Sequence, residues 1–365
     1  MSTLGWLAGA PLAADSPDGS NGNWGLQDAR AALQFLVDTG AAFGGDPARI
    51  TIFGESAGGG IVSHMLTNKL AAGKFQRAII ESGPLSAWIT SNMTEQAARY
   101  GALCAAVSCP TDGAASLACL RNKSYDAIMN AGQTVGTNDN GPVVDGVEVQ
   151  DDPRRLAARG QLAPGVRVML GTNHDEGSFG PPPNMSVAAY EAAVLKDYGD
   201  ELGALVLQAY PSANFSSPGA AYVRISGDRE MTCPNRDTAG WLTAAGRAGG
   251  PQAAFVYLYA HANALLHDLL GLEVAHATEL LNVWKIEPLL GGPGEEAESD
   301  FWVRAWARFA VSGDPNCGTD PAWDEYGGAA VDSWGVLDTG AAGPTCTNVR
   351  GLRKPQCDFW LSQGV

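Results

Sequence analysis

The chain has no uninterrupted apolar stretch near the roughly 20 residues that a helix needs to cross a bilayer, so no membrane-spanning helix is expected. It does not open with a positive segment followed by an apolar one, so no signal peptide is expected within these residues. Basic residues are few. Lys and Arg number 23 against 39 Asp and Glu, a formal net charge of −16. Nucleic-acid binding needs a basic footprint, and none is present. The acidic balance reads first as a solvated surface, with concentration of cationic substrates near a cleft as the second reading. Cys and His do not fall at zinc-site spacings, and no metal or cofactor is expected. There is no internal repeat and no long low-complexity linker, so residues 1–365 are expected to form one domain. With 45% hydrophobic residues, the chain can bury a large core. Histidines are also scarce: His64, His174, His261, His267 and His276 are all there are.

Against those absences stands Thr51-Ile52-Phe53-Gly54-Glu55-Ser56-Ala57-Gly58-Gly59-Gly60. Gly54 to Gly58 match G-x-S-x-G, a sharp turn that places a nucleophilic serine between a strand and a helix. The setting suits the turn. Residues 49–53 are rich in β-branched and aromatic side chains, and residues 58–70 carry Ile61, Met65 and Leu66 at helical spacing. The serine is expected in a strained backbone conformation, with glycines letting strand and helix pack closely around it. Elsewhere, residues 76–81, 166–170 and 253–259 read as buried strands. Residues 27–42 and 300–311 read as helices, the latter broken by Gly313 and Pro315. Pro181 to Pro183 and residues 291–294 read as loops. Strands alternating with helices predict an α/β fold with a mostly parallel sheet.

A serine hydroxyl needs a base to take its proton and an acid to orient that base. With this turn the chain order is serine, acid, histidine. His64 falls two helical turns past Ser56, and His174 precedes the best acid, so three candidate bases remain: His261, His267 and His276. Residue chemistry alone does not choose among them. Glu176 is expected as the acid, because it follows the strand 166–170 in a short polar loop. Asp175 reads as its structural neighbour, and Asp145 as a rival more suited to bracing a loop. The N–H of Ala57, the residue after the nucleophile, is the expected oxyanion donor on this side.

Several segments together resemble the type B carboxylesterases, the cholinesterase and fungal lipase relatives within the α/β-hydrolases. Gly22-Asn23-Trp24-Gly25-Leu26-Gln27-Asp28 and Phe43-Gly44-Gly45-Asp46-Pro47 resemble that family's approach to the elbow. Phe75 to Gly83, Val143-Val144-Asp145-Gly146, Gly171 to Gly177, Gly313-Asp314-Pro315-Asn316 and Cys357-Asp358-Phe359-Trp360 continue the likeness over nearly the whole chain. The resemblance implies hydrolysis of small-molecule or lipid carboxylic esters through an acyl-enzyme. It singles out His276, in Ala275-His276-Ala277-Thr278-Glu279-Leu280, as the base, and it supports Glu176 through its Asp-Glu-Gly context. It places Glu55 close to the active site, with Ser82 and Trp88 expected along the pocket. A non-catalytic, neuroligin-like adhesion role is the competing reading, disfavoured because all three triad candidates are present.

The resemblance also implies two disulfides, Cys109–Cys119 before a Leu-Arg and Cys233–Cys357 before a Phe-Trp. Cys317 and Cys346 are then left as a local pair, and Cys104 as the odd thiol. Seven cysteines and four N-x-[ST] sequons, at Asn92, Asn122, Asn184 and Asn214, favour a secreted or secretory-pathway protein. Residues 1–53 hold no His-Gly-Gly, which in this family supplies the other oxyanion donors. Leu4-Gly5-Trp6-Leu7 resembles a segment that lies after that loop. The expectation is an α/β-hydrolase domain without its N-terminal strands, and a poor esterase as it stands.

Overall fold

Among the described residues, six strands form one sheet in the order β1-β2-β3-β4-β5-β6. They are β1 (Thr51–Glu55), β2 (Arg77–Glu81), β3 (Arg167–Asn173), β4 (Ala254–Tyr259), β5 (Ser333–Gly340) and β6 (Gly343–Arg350). A computed structural model describes residues 3–86, 91–137, 141–180, 182–249, 254–340 and 343–364. The first five strands run parallel and β6 closes the sheet antiparallel to β5. The reason lies in the side chains. Every residue of β4 is buried, as is all of β3 beyond Arg167, and strands buried on both faces read as continuous apolar runs without alternation. The described residues divide into two compact units.

The unit that carries the sheet comprises residues 49–62, 76–84 and 164–365. One of its cores is aromatic. Tyr257 and Tyr259 of β4 meet Trp302 edge-on, at ring separations of 5.5 and 5.3 Å. Trp302 and Trp306 stand one turn apart on the helix Glu295–Ser312, with Phe309 buried beyond them. Edge-to-face pairing suits the ring quadrupoles. That helix starts earlier than its apolar spacing predicts, because its first turn is acidic (Glu295, Glu296, Glu298) and lacks the apolar stripe. A second core gathers Tyr190, Val194, Val206, Tyr210, Ile225 and Trp360 around the disulfide Cys233–Cys357.

The other unit, residues 1–48, 63–75 and 85–163, is helical. Leu7, Tyr100, Leu103, Cys104, Leu120 and Ile128 form its core. The disulfide Cys109–Cys119 clips the helix Gly113–Arg121 to the chain that leaves the helix Met93–Ala106. Buried polar groups hold its loops. Asn23 pairs through both side-chain atoms with the backbone of Val143. Asp145 accepts from the N–H groups of Asn21, Val147 and Val149, which is loop bracing. No helix among the described residues is long and apolar enough to cross a membrane.

Both disulfides implied by the resemblance are present, while Cys317 and Cys346 are unpaired thiols, contrary to expectation. Cys346 lies within β6 opposite Leu337, and its sulfur shares with the Trp323 indole the space beside Gly335. Cys317 lies in a turn, against the Thr319 hydroxyl. Cys104, the odd thiol, is buried and free.

Candidate active site

The motif forms the turn that its glycines predict. Ser56 follows β1 directly and precedes the helix Ala57–Thr67, with φ of 55°. A non-glycine residue there costs on the order of 1–2 kcal/mol. What holds it is a 2.8 Å bond from the Ser56 N–H to the carbonyl of Glu81, at the end of neighbouring β2. A Cβ on Gly54 would lie 2.5 Å from the Gly58 carbonyl carbon, and one on Gly59 would lie 2.8 Å from the Glu81 oxygen. Gly58 itself has open space around its missing side chain. Its backbone is simply the wall that keeps position 54 a glycine.

The parallel register brings the carboxyl ends of neighbouring strands together. Glu55 pairs with Glu81, Glu81 with Gly171, and Asn173 with Tyr259. The segments that leave β3 and β4 are then fastened to each other. His174 N–H donates to the Tyr259 carbonyl, Asp175 N–H to that of Val274, and His276 N–H to that of Ser178. Asn173 Nδ2 adds bonds to the Ala275 carbonyl at 2.8 Å and to Glu279 Oε2 at 2.5 Å.

This fastening puts Ser56, His276 and Glu176 in line. Ser56 Oγ lies 2.8 Å from His276 Nε2, and His276 Nδ1 lies 2.5 Å from Glu176 Oε2. The tautomer follows from the partners: Nδ1 carries the proton toward the carboxylate, leaving the Nε2 lone pair for the hydroxyl. Glu176 is buried, and its other oxygen accepts from Thr172 Oγ1 at 2.8 Å, from Asn173 N–H at 2.6 Å and from the Ser82 hydroxyl. Three donors on one oxygen fix the carboxylate's rotation and leave the second oxygen for the imidazole.

The electrostatics follow from this arrangement. Burial opposes protonation of His276, yet the Glu176 hydrogen bond, its charge and that of Glu55 outweigh it and raise the imidazole pKa above its ordinary value. Burial raises the pKa of Glu55, whose Oε1 lies 3.2 Å from His276 Nε2, against the pull of the imidazole. Glu81 is pushed by burial to about 7, despite a 3.0 Å bond from Trp306 Nε1. Fully buried Glu279 is also held above its ordinary value, by burial first and then by the charge of Glu176. Perturbed carboxyl groups gathered at one place are a mark of functional sites.

The other candidates fall elsewhere. His261 is held by Glu295 at 3.2 Å and by Asp338 at 3.4 Å. Burial opposes its protonation, but these partners carry its pKa to about 9. His267 is half exposed beside Glu273, and His64 is buried within the helix that follows the elbow. Ser82, expected along the pocket, is instead fully buried behind the acid, with φ of 49°. Trp88 lies outside the described residues. Ala57 is exposed and opens its helix, where N–H groups have no intrahelical acceptor. Phe179 was not anticipated. Its ring stands edge-on to His276 at 5.0 Å while 85% exposed, an apolar surface beside the imidazole. Thr172 and Asn173 were also missed, although they directly precede the acid loop.

A parallel sheet with a strained serine at the end of one strand, and a buried acid and a histidine after two others, is the α/β-hydrolase arrangement. The chain belongs to the carboxylesterase family, whose family model matches residues 4–360. Among curated relatives, carboxylesterase 1E of Mus musculus is 28% identical over 377 residues, covering 93% of this chain and 64% of the relative. Liver carboxylesterase 1 of Mus musculus is 30% identical over 381 residues, with the same two shares. The chain thus spans 64% of the length of each of these relatives.

Proposed function

We propose that the chain carries a serine hydrolase site that cleaves carboxylic esters through an acyl-enzyme. The observation that carries the reading is the unbroken hydrogen-bonded line from Ser56 Oγ through His276 to Glu176, at 2.8 and 2.5 Å. Ser56 Oγ attacks the ester carbonyl as His276 Nε2 takes its proton. The tetrahedral intermediate expels the alcohol, which leaves with that proton, and Ser56 holds the acyl group. Water then repeats the sequence, releasing the acid and restoring the hydroxyl. Glu176 holds the imidazole in one tautomer and stabilises the imidazolium. The Ala57 N–H supplies one oxyanion donor, an element worth roughly 10²–10³ in rate where such donors are removed. The exposed ring of Phe179 beside His276 suits the apolar part of a small-molecule or lipid ester.

The secretory pathway is the compartment that fits. Two disulfides require oxidising surroundings, and Asn92, Asn122, Asn184 and Asn214 are all exposed, as glycan acceptors must be. Ser56→Ala tests the mechanism: p-nitrophenyl ester turnover is expected to vanish with far-UV circular dichroism unchanged. Retained turnover contradicts it.

A further inference from the structure

The acid loop is held by two arginines from outside the triad. Arg353 stands in the left-handed region, φ 52°, at the start of the helix Lys354–Ser362, with its side chain almost fully buried. Its Nη2 donates to the His174 carbonyl at 3.0 Å, two residues before Glu176. Its Nη1 donates to Asp228 Oδ1 and to Thr232 Oγ1, the latter at 3.3 Å. Asp228 and Thr232 bound a π-helical turn that follows the helix Pro218–Gly227, the kind of insertion often found at functional sites. Asp228 also accepts from Tyr210 OH at 3.1 Å, and Tyr210 OH accepts from Trp360 Nε1 at 2.9 Å. The guanidinium is thus anchored on the second core before it reaches the loop.

Arg224, on the helix before the π turn, contacts the loop from its other flank. Its Nη2 lies 3.3 Å from Asp175 Oδ1 and 2.9 Å from His174 Nε2. The loop is pressed against the same helix end. A Cβ on Gly177 would lie 2.1 Å from the Val223 carbonyl oxygen, and one on Gly227 would lie 3.2 Å from Glu176 Cβ. The disulfide closes the frame, because Cys233 directly follows Thr232 and Cys357 lies one turn after Arg353.

We propose that Arg353, with Arg224, is a positioning residue that fixes the backbone of the Glu176 loop and so sets the orientation of the carboxylate toward His276. The proposal rests on the hydrolase reading of Glu176. Its geometric demand is specific. One guanidinium must reach Asp228, Thr232 and a carbonyl in different directions, which a lysine ammonium on a single stem does not match. With the clamp gone, the loop drifts and the Glu176–His276 bond lengthens. Misplacement by about 1 Å at a catalytic group costs on the order of 10²-fold.

Arg353→Lys in the full chain is the test, with Arg353→Gln/Asp228→Asn as the version that leaves no unpaired buried charge. Both are expected to lower kcat for p-nitrophenyl esters about 10- to 100-fold with KM changed less than about twofold. Amide hydrogen exchange in residues 173–178 is expected to quicken. The acid limb of the pH–rate profile moves to lower pH, since His276 faces Glu176 and Glu55 and loses the nearer carboxylate. Arg30→Lys is the control, a part-buried arginine that forks onto buried Glu148 within the helical unit. It is expected to lower the unfolding midpoint and leave the acid limb and this exchange in place. If exchange across 173–178 is unchanged in Arg353→Lys, the clamp is overturned whether or not Ser56 reacts. If exchange quickens while the unsubstituted chain turns over no ester, the clamp stands and the hydrolase reading falls.

Discussion

Removing the two disulfides should cost unequal amounts, and the difference follows from the lengths of chain that they close. Cys233–Cys357 spans a separation of 124 residues and Cys109–Cys119 spans 10. A cross-link restricts the unfolded chain by an entropy that grows with the logarithm of loop length. At 25 °C this amounts to about 4.9 kcal/mol for the longer loop and about 2.7 kcal/mol for the shorter. The constant cancels in the difference of about 2.2 kcal/mol, which depends only on the ratio of loop lengths. Packing losses are alike in both cases, since Cys233, Cys357 and Cys109 are buried and Cys119 is partly so. The assay is urea unfolding of Cys233→Ala/Cys357→Ala and Cys109→Ala/Cys119→Ala, followed by circular dichroism and extrapolated to water. The long-loop pair should lose more stability, by about 2 kcal/mol. An equal or larger loss from the short-loop pair would refute the entropic reasoning and place the value of Cys233–Cys357 in its native contacts.

Glu55→Gln removes a negative charge 3.2 Å from His276 Nε2, so the acid limb of kcat/KM should move to lower pH. The sign is fixed by the base acting when neutral: less anionic surroundings let it deprotonate earlier, and an upward move contradicts the assignment. Glu81, whose pKa burial raises to about 7, binds its proton more tightly in the folded state than in the unfolded one. Stability should therefore be fully present below about pH 4.5 and fall as pH rises to about 7, by at most about 3 kcal/mol. Glu81→Gln should flatten that slope, which unfolding midpoints measured across the range would show.

The elbow was legible because its constraint is local. A serine at positive φ between a strand and a helix needs glycine on both sides, here Gly54 and Gly59, and six consecutive residues state that need. β3 and β4 were legible for a similar reason, since burial on both faces gives residues 168–170 and 254–259 an unbroken run of apolar and aromatic side chains. The base was not. His261 ends β4 as plausibly as His276 follows a loop, and what separates them is assembled from distant chain. His276 meets Ser56 across 220 positions and Glu176 across 100, while His261 is taken up by Glu295 and Asp338. Resemblance, and not residue chemistry, singled out His276. The β5–β6 hairpin went unread because β6 is a half-exposed edge, Gly343 to Arg350, with little apolar alternation to mark it. The role of Ser82 was equally hidden, since it depends on β2 ending beside β3 at the level of Glu176.

The most direct measurement is labelling of the purified chain with a fluorophosphonate, followed by peptide mapping of the adduct. Such a probe reacts with a serine whose proton a positioned base removes, and the chain contains many serines that have none. The account predicts one adduct, on Ser56, lost in His276→Ala and strongly slowed in Glu176→Gln. No adduct on Ser56, or one that persists at the same rate without His276, would contradict it.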